Sequence, residues 1–163
     1  MPSKLRKRFG SIKNLKIIDS VIPWQQLEQE FKTSDIFLFP SHNTPGLAIL
    51  DAMSYELPVI TTDLWANSEM IQNSRNGILI PPSKEICYFE DDLIPKWGDP
   101  GFLEIIRNYS IDVDPLVSAL CKLIDNPELR RRMGKEGRKD IEMGEFSIMQ
   151  RNIRLKKIFD AIE

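Results

Sequence analysis

Four short apolar runs rich in branched side chains, at residues 15–19, 36–40, 58–62 and 77–81, begin 21, 22 and 19 residues apart. That interval leaves room for one short helix between successive runs. The pattern therefore predicts consecutive strand–helix units, and hence a mainly parallel sheet with right-handed crossovers. Residues 24–33 suit the first connecting helix, because Trp24, Leu27 and Phe31 fall three and four apart and Pro23 stands at its start. Residues 45–55 suit the second helix and residues 66–73 the third. Beyond Pro82 the pattern changes. Residues 83–110 are acidic, carry Tyr88, Phe89, Trp97, Phe102 and Tyr109, and are broken by Gly98-Asp99-Pro100-Gly101, which predicts a long loop with one helical turn near residues 102–107. Helical periodicity resumes with Val113, Leu116, Val117, Leu120 and Leu123. Pro127 opens the next helix, and residues 146–162 form the last.

A chain of 163 residues reads as one domain, able to bury about 70% of its unfolded surface without staples. Its parts are a basic segment over residues 1–13, the acidic insertion over 83–111 and C-terminal helices over 112–163. Cys87 and Cys121 stand far apart with no His-rich cluster nearby, which argues against a disulfide framework and a structural zinc site and makes a reducing, cytoplasmic setting the expectation. No apolar run reaches the 18 or so residues of a membrane helix, and the basic run over residues 4–8 is followed by no signal-peptide core. With 22 basic and 24 acidic side chains the net charge is -2, which disfavours nucleic acid as a partner.

In open parallel sheets, ligands bind beyond the carboxyl ends of the strands, where helix N-termini also point. That places interest on residues 40–47, PSHNTPGL. Thr44 is a suitable N-cap, Pro45 fits the first helical position, and Gly46 lets a ligand approach the backbone. The amides of Gly46, Leu47 and Ala48 would then form an anion site, with a phosphate as guest, although a capped helix start also serves folding alone. The helix that follows is apolar nearly all round except for Asp51. Such a carboxylate is paired, half exposed at the sheet edge, or reserved for a ligand. It lies roughly 7 Å along the helix axis from Gly46, a separation that suits a ribose hydroxyl pair when a diphosphate sits at the helix start.

Residues 34–41 (SDIFLFPS), 44–62 (TPGLAILDAMSYELPVITT), 69–71 (EMI), 76–82 (NGILIPP) and 126–138 (NPELRRRMGKEGR) together resemble the donor-binding half of retaining GT-B glycosyltransferases. The resemblance is to the large group 1, or family 4, class that includes sucrose-phosphate synthases. It implies a Rossmann-like α/β domain with extra C-terminal helices, binding a nucleotide-sugar donor with no metal and no other cofactor. Family members carry two glutamates with seven residues between them. The second, which binds the donor ribose, maps to Asp51. The first, which faces the donor sugar and is tied to catalysis, maps to Asn43, which carries no charge. Gly46, Leu47 and Ala48 map to the amides that hold the diphosphate and sugar, and Val21 and Ile22 to the loop that cradles the nucleobase. Ser41, His42, Thr44 and Pro45 complete the implied binding segment, although His42 also reads as a solvated loop residue. Glu69 matches a recurrent glutamate near the donor pocket and reads equally as a helix-start acid. Glu56 stands where relatives usually have Gly, the residue that best tolerates a left-handed helix end.

The resemblance also implies parts not seen in this sequence. These are an N-terminal acceptor-binding domain, and an opening strand and helix whose basic pair faces the diphosphate. The expected setting is then the excised C-terminal domain of a longer enzyme, which leaves room for peripheral membrane association through the absent half. The alternative is a non-catalytic nucleotide-binding or interaction module with a degenerate transferase site. The basic residues over 130–139 read as a solvated helix face. With neither a Gly-x-Gly-x-x-Gly nor a Walker loop nor a metal-ligand cluster, dinucleotide and P-loop chemistry are disfavoured.

Overall fold

In the computed structural model of the chain, which describes residues 9, 12–18, 20–41, 47–64, 66–82, 101 and 111–161, three of the four apolar runs become strands. They are β1 (Phe37–Phe39), β2 (Val59–Thr62) and β3 (Gly77–Ile80), all parallel, in the order β1-β2-β3. The register pairs Phe37 with Val59 and Val59 with Gly77. The remaining run differs. Residues 12–18 are turn and irregular chain, opened by bonds from the Ile12 amide to the Phe9 carbonyl at 3.1 Å and from the Leu15 amide to the Ile12 carbonyl at 3.2 Å. Branched side chains favour a strand only where a neighbour supplies ladder partners, and none of the described residues does so here.

The chain divides into two compact units, Met1–Thr33 and Ser34–Glu163. The first holds α1 (Trp24–Thr33), with the boundaries that the 3.6-residue spacing predicts. The Pro23 carbonyl accepts from the Gln26 and Leu27 amides at 3.0 and 3.2 Å, so the proline opens the helix. Phe31 is its buried residue, Lys32 pairs with Glu28 at 2.8 Å, and Lys16 pairs with Glu30.

The second unit is the parallel sheet and its helices. Helix α2 (Leu47–Ser54) crosses from β1 to β2, and α3 (Asn67–Met70) from β2 to β3. After these come α4 (Val113–Ile124), α5 (Pro127–Glu142) and α6 (Ile148–Asp160). Strand β2 is buried along its whole length, as a central parallel strand covered by helices must be. Ile60 and Ile80 pack with Ala119 and Leu123 of α4 and Met133 of α5, while α2 buries Ile49, Ala52 and Met53. Helix α3 is shorter than the predicted span of residues 66–73. Ile71 turns to extended backbone and buries its side chain, and the Asn76 Oδ1 takes the Gln72 amide at 2.8 Å, so a side chain competes for the backbone donor that helix growth needs. The last two helices begin on sequence-local caps, with Asn126 accepting from Leu129 at 2.9 Å before Pro127 and Ser147 accepting from Gln150 at 3.2 Å. Ser147 at the cap leaves Phe146 outside the predicted last helix, and α6 itself buries no residue. No helix among the described residues is long and apolar enough to cross a membrane. The acidic segment over 83–110 lies outside the described residues apart from Gly101.

Helix α2 ends in a tightly specified way. The Glu56 amide bonds the Met53 carbonyl and the Leu57 amide bonds the Ala52 carbonyl, both at 3.1 Å, which is the Schellman arrangement with Glu56 at its left-handed position, φ 58. Gly134 of α5 lies against this turn so closely that a Cβ there would sit 1.8 Å from the Glu56 carbonyl oxygen. Arg138 of α5 donates to the Ser54 carbonyl and Arg130 donates to the Leu123 carbonyl at 2.9 Å. Two members of the expected solvated basic face are thus helix caps, because the last carbonyls of α2 and α4 need donors.

A second tie joins α5 to the turn before β3. Asn76 is fully buried and donates to the Met70 carbonyl at 3.1 Å and to Asp140 at 2.8 Å. Arg75 bonds Asp140 at 2.5 Å and Glu136 at 3.1 Å. The hydrogen bond to Asp140 holds the Arg75 guanidinium above its ordinary range, against the opposing pull of burial.

Two consequences are measurable by thermal and urea unfolding. Glu56→Gly relieves the left-handed strain and raises stability by about 1 kcal/mol, whereas Gly134→Ala drives a methyl into backbone and costs at least about 2 kcal/mol. Asp140→Ala removes the acceptor shared by Asn76 and Arg75 and lowers stability by about 2 kcal/mol, read as a shift of the urea midpoint at constant slope.

Candidate functional site

Because the three strands are parallel, their carboxyl ends share one edge of the sheet, from which the chain passes into α2 after β1 and into α3 after β2. Strand β1 delivers Pro40 and Ser41 to that edge, and β2 delivers Thr62. The backbone ladder between them ends at the pair Phe39 and Thr61. Side chains add to it there: within that pair the Thr61 hydroxyl donates to the Phe39 carbonyl at 2.8 Å, and beyond it the Thr62 hydroxyl donates to the Ser41 carbonyl. Thr62 in turn accepts from Asn67 Nδ2 at 3.3 Å.

Helix α2 then carries three predicted residues. Leu47 stands at its first described position with 76% of its surface exposed, and Ala48 is half-buried. Asp51 follows Leu47 by one turn, roughly 6 Å along the axis. Its side chain is half-buried, and among the described residues its carboxylate has no hydrogen-bond or ion-pair partner, although its backbone carbonyl accepts from the Ser54 hydroxyl at 2.7 Å. Of the three readings open to it, pairing is therefore excluded within the described residues. A half-buried, unpartnered carboxylate on an otherwise apolar helix is an acceptor with unused capacity.

His42, Asn43, Thr44, Pro45 and Gly46 lie outside the described residues. Ser41, Leu47, Ala48 and Asp51 are brought to the same strand–helix crossover. Glu69 is exposed in α3, the helix that follows β2. Val21, fully exposed, and Ile22, half-buried, belong to the other compact unit, in the irregular stretch before α1. Among the described residues no group of three His, Cys, Asp or Glu side chains is placed to hold a metal ion. Sequence reasoning missed Thr62 and Asn67. The signal was available in part, since two hydroxyl residues closing an otherwise apolar strand are unusual in a buried position.

Comparison with known proteins agrees with this geometry. The family model described as glycosyl transferases group 1 matches residues 1–91. An uncharacterized glycosyltransferase of Methanocaldococcus jannaschii is 29% identical over 90 residues, 53% of this chain and 23% of the relative. The sulfoquinovosyl transferase of Arabidopsis thaliana is 24% identical over 150 residues, 90% of this chain and 24% of the relative. The chain thus spans about a quarter of the length of the curated relatives it matches. Among solved structures, the C-terminal domain of a glycosyl transferase group 1 family protein from Francisella tularensis superposes with a TM-score of 0.60 at 20% identity, over 89% of this chain and 60% of that one. Sucrose-phosphate synthase from Thermosynechococcus elongatus does so at 0.65 and 18% identity, over 97% of this chain and 33% of that one. The two neighbours share the fold, a parallel sheet flanked by helices in the GT-B manner, and the family model spans the crossover that carries Asp51; the chain belongs to the glycosyl transferases group 1 family.

Proposed function

We propose that this chain is the nucleotide-sugar donor-binding domain of a retaining, metal-independent glycosyltransferase, whose acceptor is bound by another part of a longer protein. The observation that carries the reading is Asp51, a half-buried carboxylate without a partner among the described residues, one turn into α2 at the carboxyl edge of the sheet. A ribose offers two adjacent hydroxyl donors, which match the two oxygens of a carboxylate. The amides at the start of α2 and the helix dipole suit the diphosphate, and they would stabilise it as it departs while an acceptor hydroxyl attacks the anomeric carbon. Val21 and Ile22 are assigned to the nucleobase, and Ser41, His42, Thr44, Pro45 and Glu69 to the diphosphate and sugar. Asn43, in place of a glutamate, is a hydrogen-bonding group toward the sugar that carries no charge. The domain by itself therefore binds donor without transferring sugar. The setting proposed for the whole enzyme is cytoplasmic, with peripheral membrane contact through the acceptor half.

A second reading, an interaction module with a degenerate site, is favoured by α6. That helix buries nothing and exposes Ile148, Met149, Ile153, Leu155, Ile158 and Phe159. Nucleotide affinity separates the two readings.

Calorimetric titration of UDP, GDP and ADP, with their common sugar conjugates, is expected to find one nucleotide that binds in EDTA as well as in magnesium. Asp51→Ala weakens it by about tenfold or more, the cost of a charge-assisted hydrogen bond. At 100 times its dissociation constant that nucleotide adds about 2.7 kcal/mol to stability, an independent thermal readout. Absence of binding by all three nucleotides would sink the donor-site reading, and sugar transfer by the isolated chain would sink the division of labour.

A further inference from the structure

The carboxyl edge holds a polar arrangement that neither packing nor the proposed ligand contacts explain. Thr62 and Asn67 are 0% and 1% exposed. A polar pair replaced by apolar groups of the same shape is close to neutral in stability, so burial alone does not require this pair. Here the pair is also incompletely satisfied: Asn67 Oδ1 is buried and has no partner among the described residues. A buried acceptor left without a donor is a cost, and calls for an explanation other than folding.

The direction of the bonds supplies one. A hydroxyl has a single proton. Asn67 offers Thr62 its Nδ2, which can only donate, so the Thr62 hydroxyl must accept on that side. Its proton is then committed to the Ser41 carbonyl. Asn67 thus sets the orientation of Thr62, and Thr62 holds Ser41. Ser41 lies two residues beyond the last backbone pair of β1 and is the last described position before the chain crosses to the start of α2.

We infer that Thr62, oriented by Asn67, is a positioning residue of the donor site: it anchors the carbonyl of Ser41, a residue assigned to the donor, at the carboxyl edge of the sheet. Neither residue touches the nucleotide. The inference rests on the donor-site reading, and it adds a requirement that a family match alone does not impose.

The test compares Thr62→Val, which keeps the shape and removes the hydroxyl, with Thr62→Ser, which keeps the hydroxyl. Asn67→Asp is the second variant, because a carboxylate only accepts and so draws the Thr62 proton away from Ser41. Asp140→Ala, remote from the crossover in sequence and destabilising, controls for stability. Affinity is measured calorimetrically, well below each unfolding midpoint, for whichever of UDP, GDP and ADP the unmodified chain binds. Thr62→Val and Asn67→Asp are expected to weaken binding by about tenfold, Thr62→Ser to restore it to near the original value, and Asp140→Ala to leave it unchanged despite lower stability. If the unmodified chain binds and Asp51→Ala weakens it, but Thr62→Val or a folded Asn67→Asp binds within about twofold of the original, the positioning role is overturned and the donor site stands. If the unmodified chain binds none of the three, both fall together.

Discussion

The contact between α5 and the carboxyl end of α2 orders most of what surrounds it. Two helices approach closely only where one offers no side chain, and Gly134 provides that gap directly over the Glu56 carbonyl. The turn it covers is a left-handed one occupied by a glutamate, a conformation that an L side chain holds only when its surroundings over-determine it. They do so here from several directions. Two backbone bonds close the turn, Arg138 caps the Ser54 carbonyl, and Leu57 is buried immediately after. With its carboxyl end clamped in this way, α2 has little freedom of axis, and the position of its amino end follows from that of the sheet.

Polar and apolar forces act at opposite ends of the same helix. At the carboxyl end every feature is satisfied by protein. Toward the amino end, Leu47 is exposed and the Asp51 carboxylate has no partner among the described residues. Natural helices depart from internal satisfaction where function asks for it, and the departure here coincides with the strand edge at which parallel sheets bind ligands. The proposed donor site and the proposed Thr62 anchor follow one principle at two distances: a clamped frame carries α2, and the carboxylate left unpaired on it among the described residues, that of Asp51, is the group assigned to the proposed ligand.

Much of this was legible in residue order. The periodic apolar runs located β1, β2 and β3, and the spacing of Trp24, Leu27 and Phe31 located α1 with its boundaries. Pro127 opened α5 as a proline at a first helical position does. The isolated acid at Asp51 stood out because the residues around it are apolar, and Glu56 stood out because it occupies a glycine's place. Where reading failed, the reason was a partner that was missing or one that competed. Residues 15–18 have strand-like side chains but no described ladder neighbour, and residues 71–73 leave the helix because Asn76 captures the Gln72 amide. Within the basic face of α5, whose Arg131, Arg132, Lys135 and Lys139 are exposed as expected, Arg130 and Arg138 differ because a helix cap and a solvated arginine have the same local sequence.

Sequence by itself determined the alternation of strands and helices, the capped starts of α5 and α6, and the residue types along the β1–α2 crossover, because each depends on neighbours within a turn or two of the chain. Tertiary structure alone decided that Arg138 would cap Ser54, 84 residues away, and that Thr62 would hold Ser41, 21 residues away. It also decided that Glu56 would be pressed into a left-handed turn beneath Gly134. Periodicity records which face of an element is buried. It does not record which distant group meets that face, and the donor–acceptor pairs that shape the crossover exist only after the chain has closed on itself.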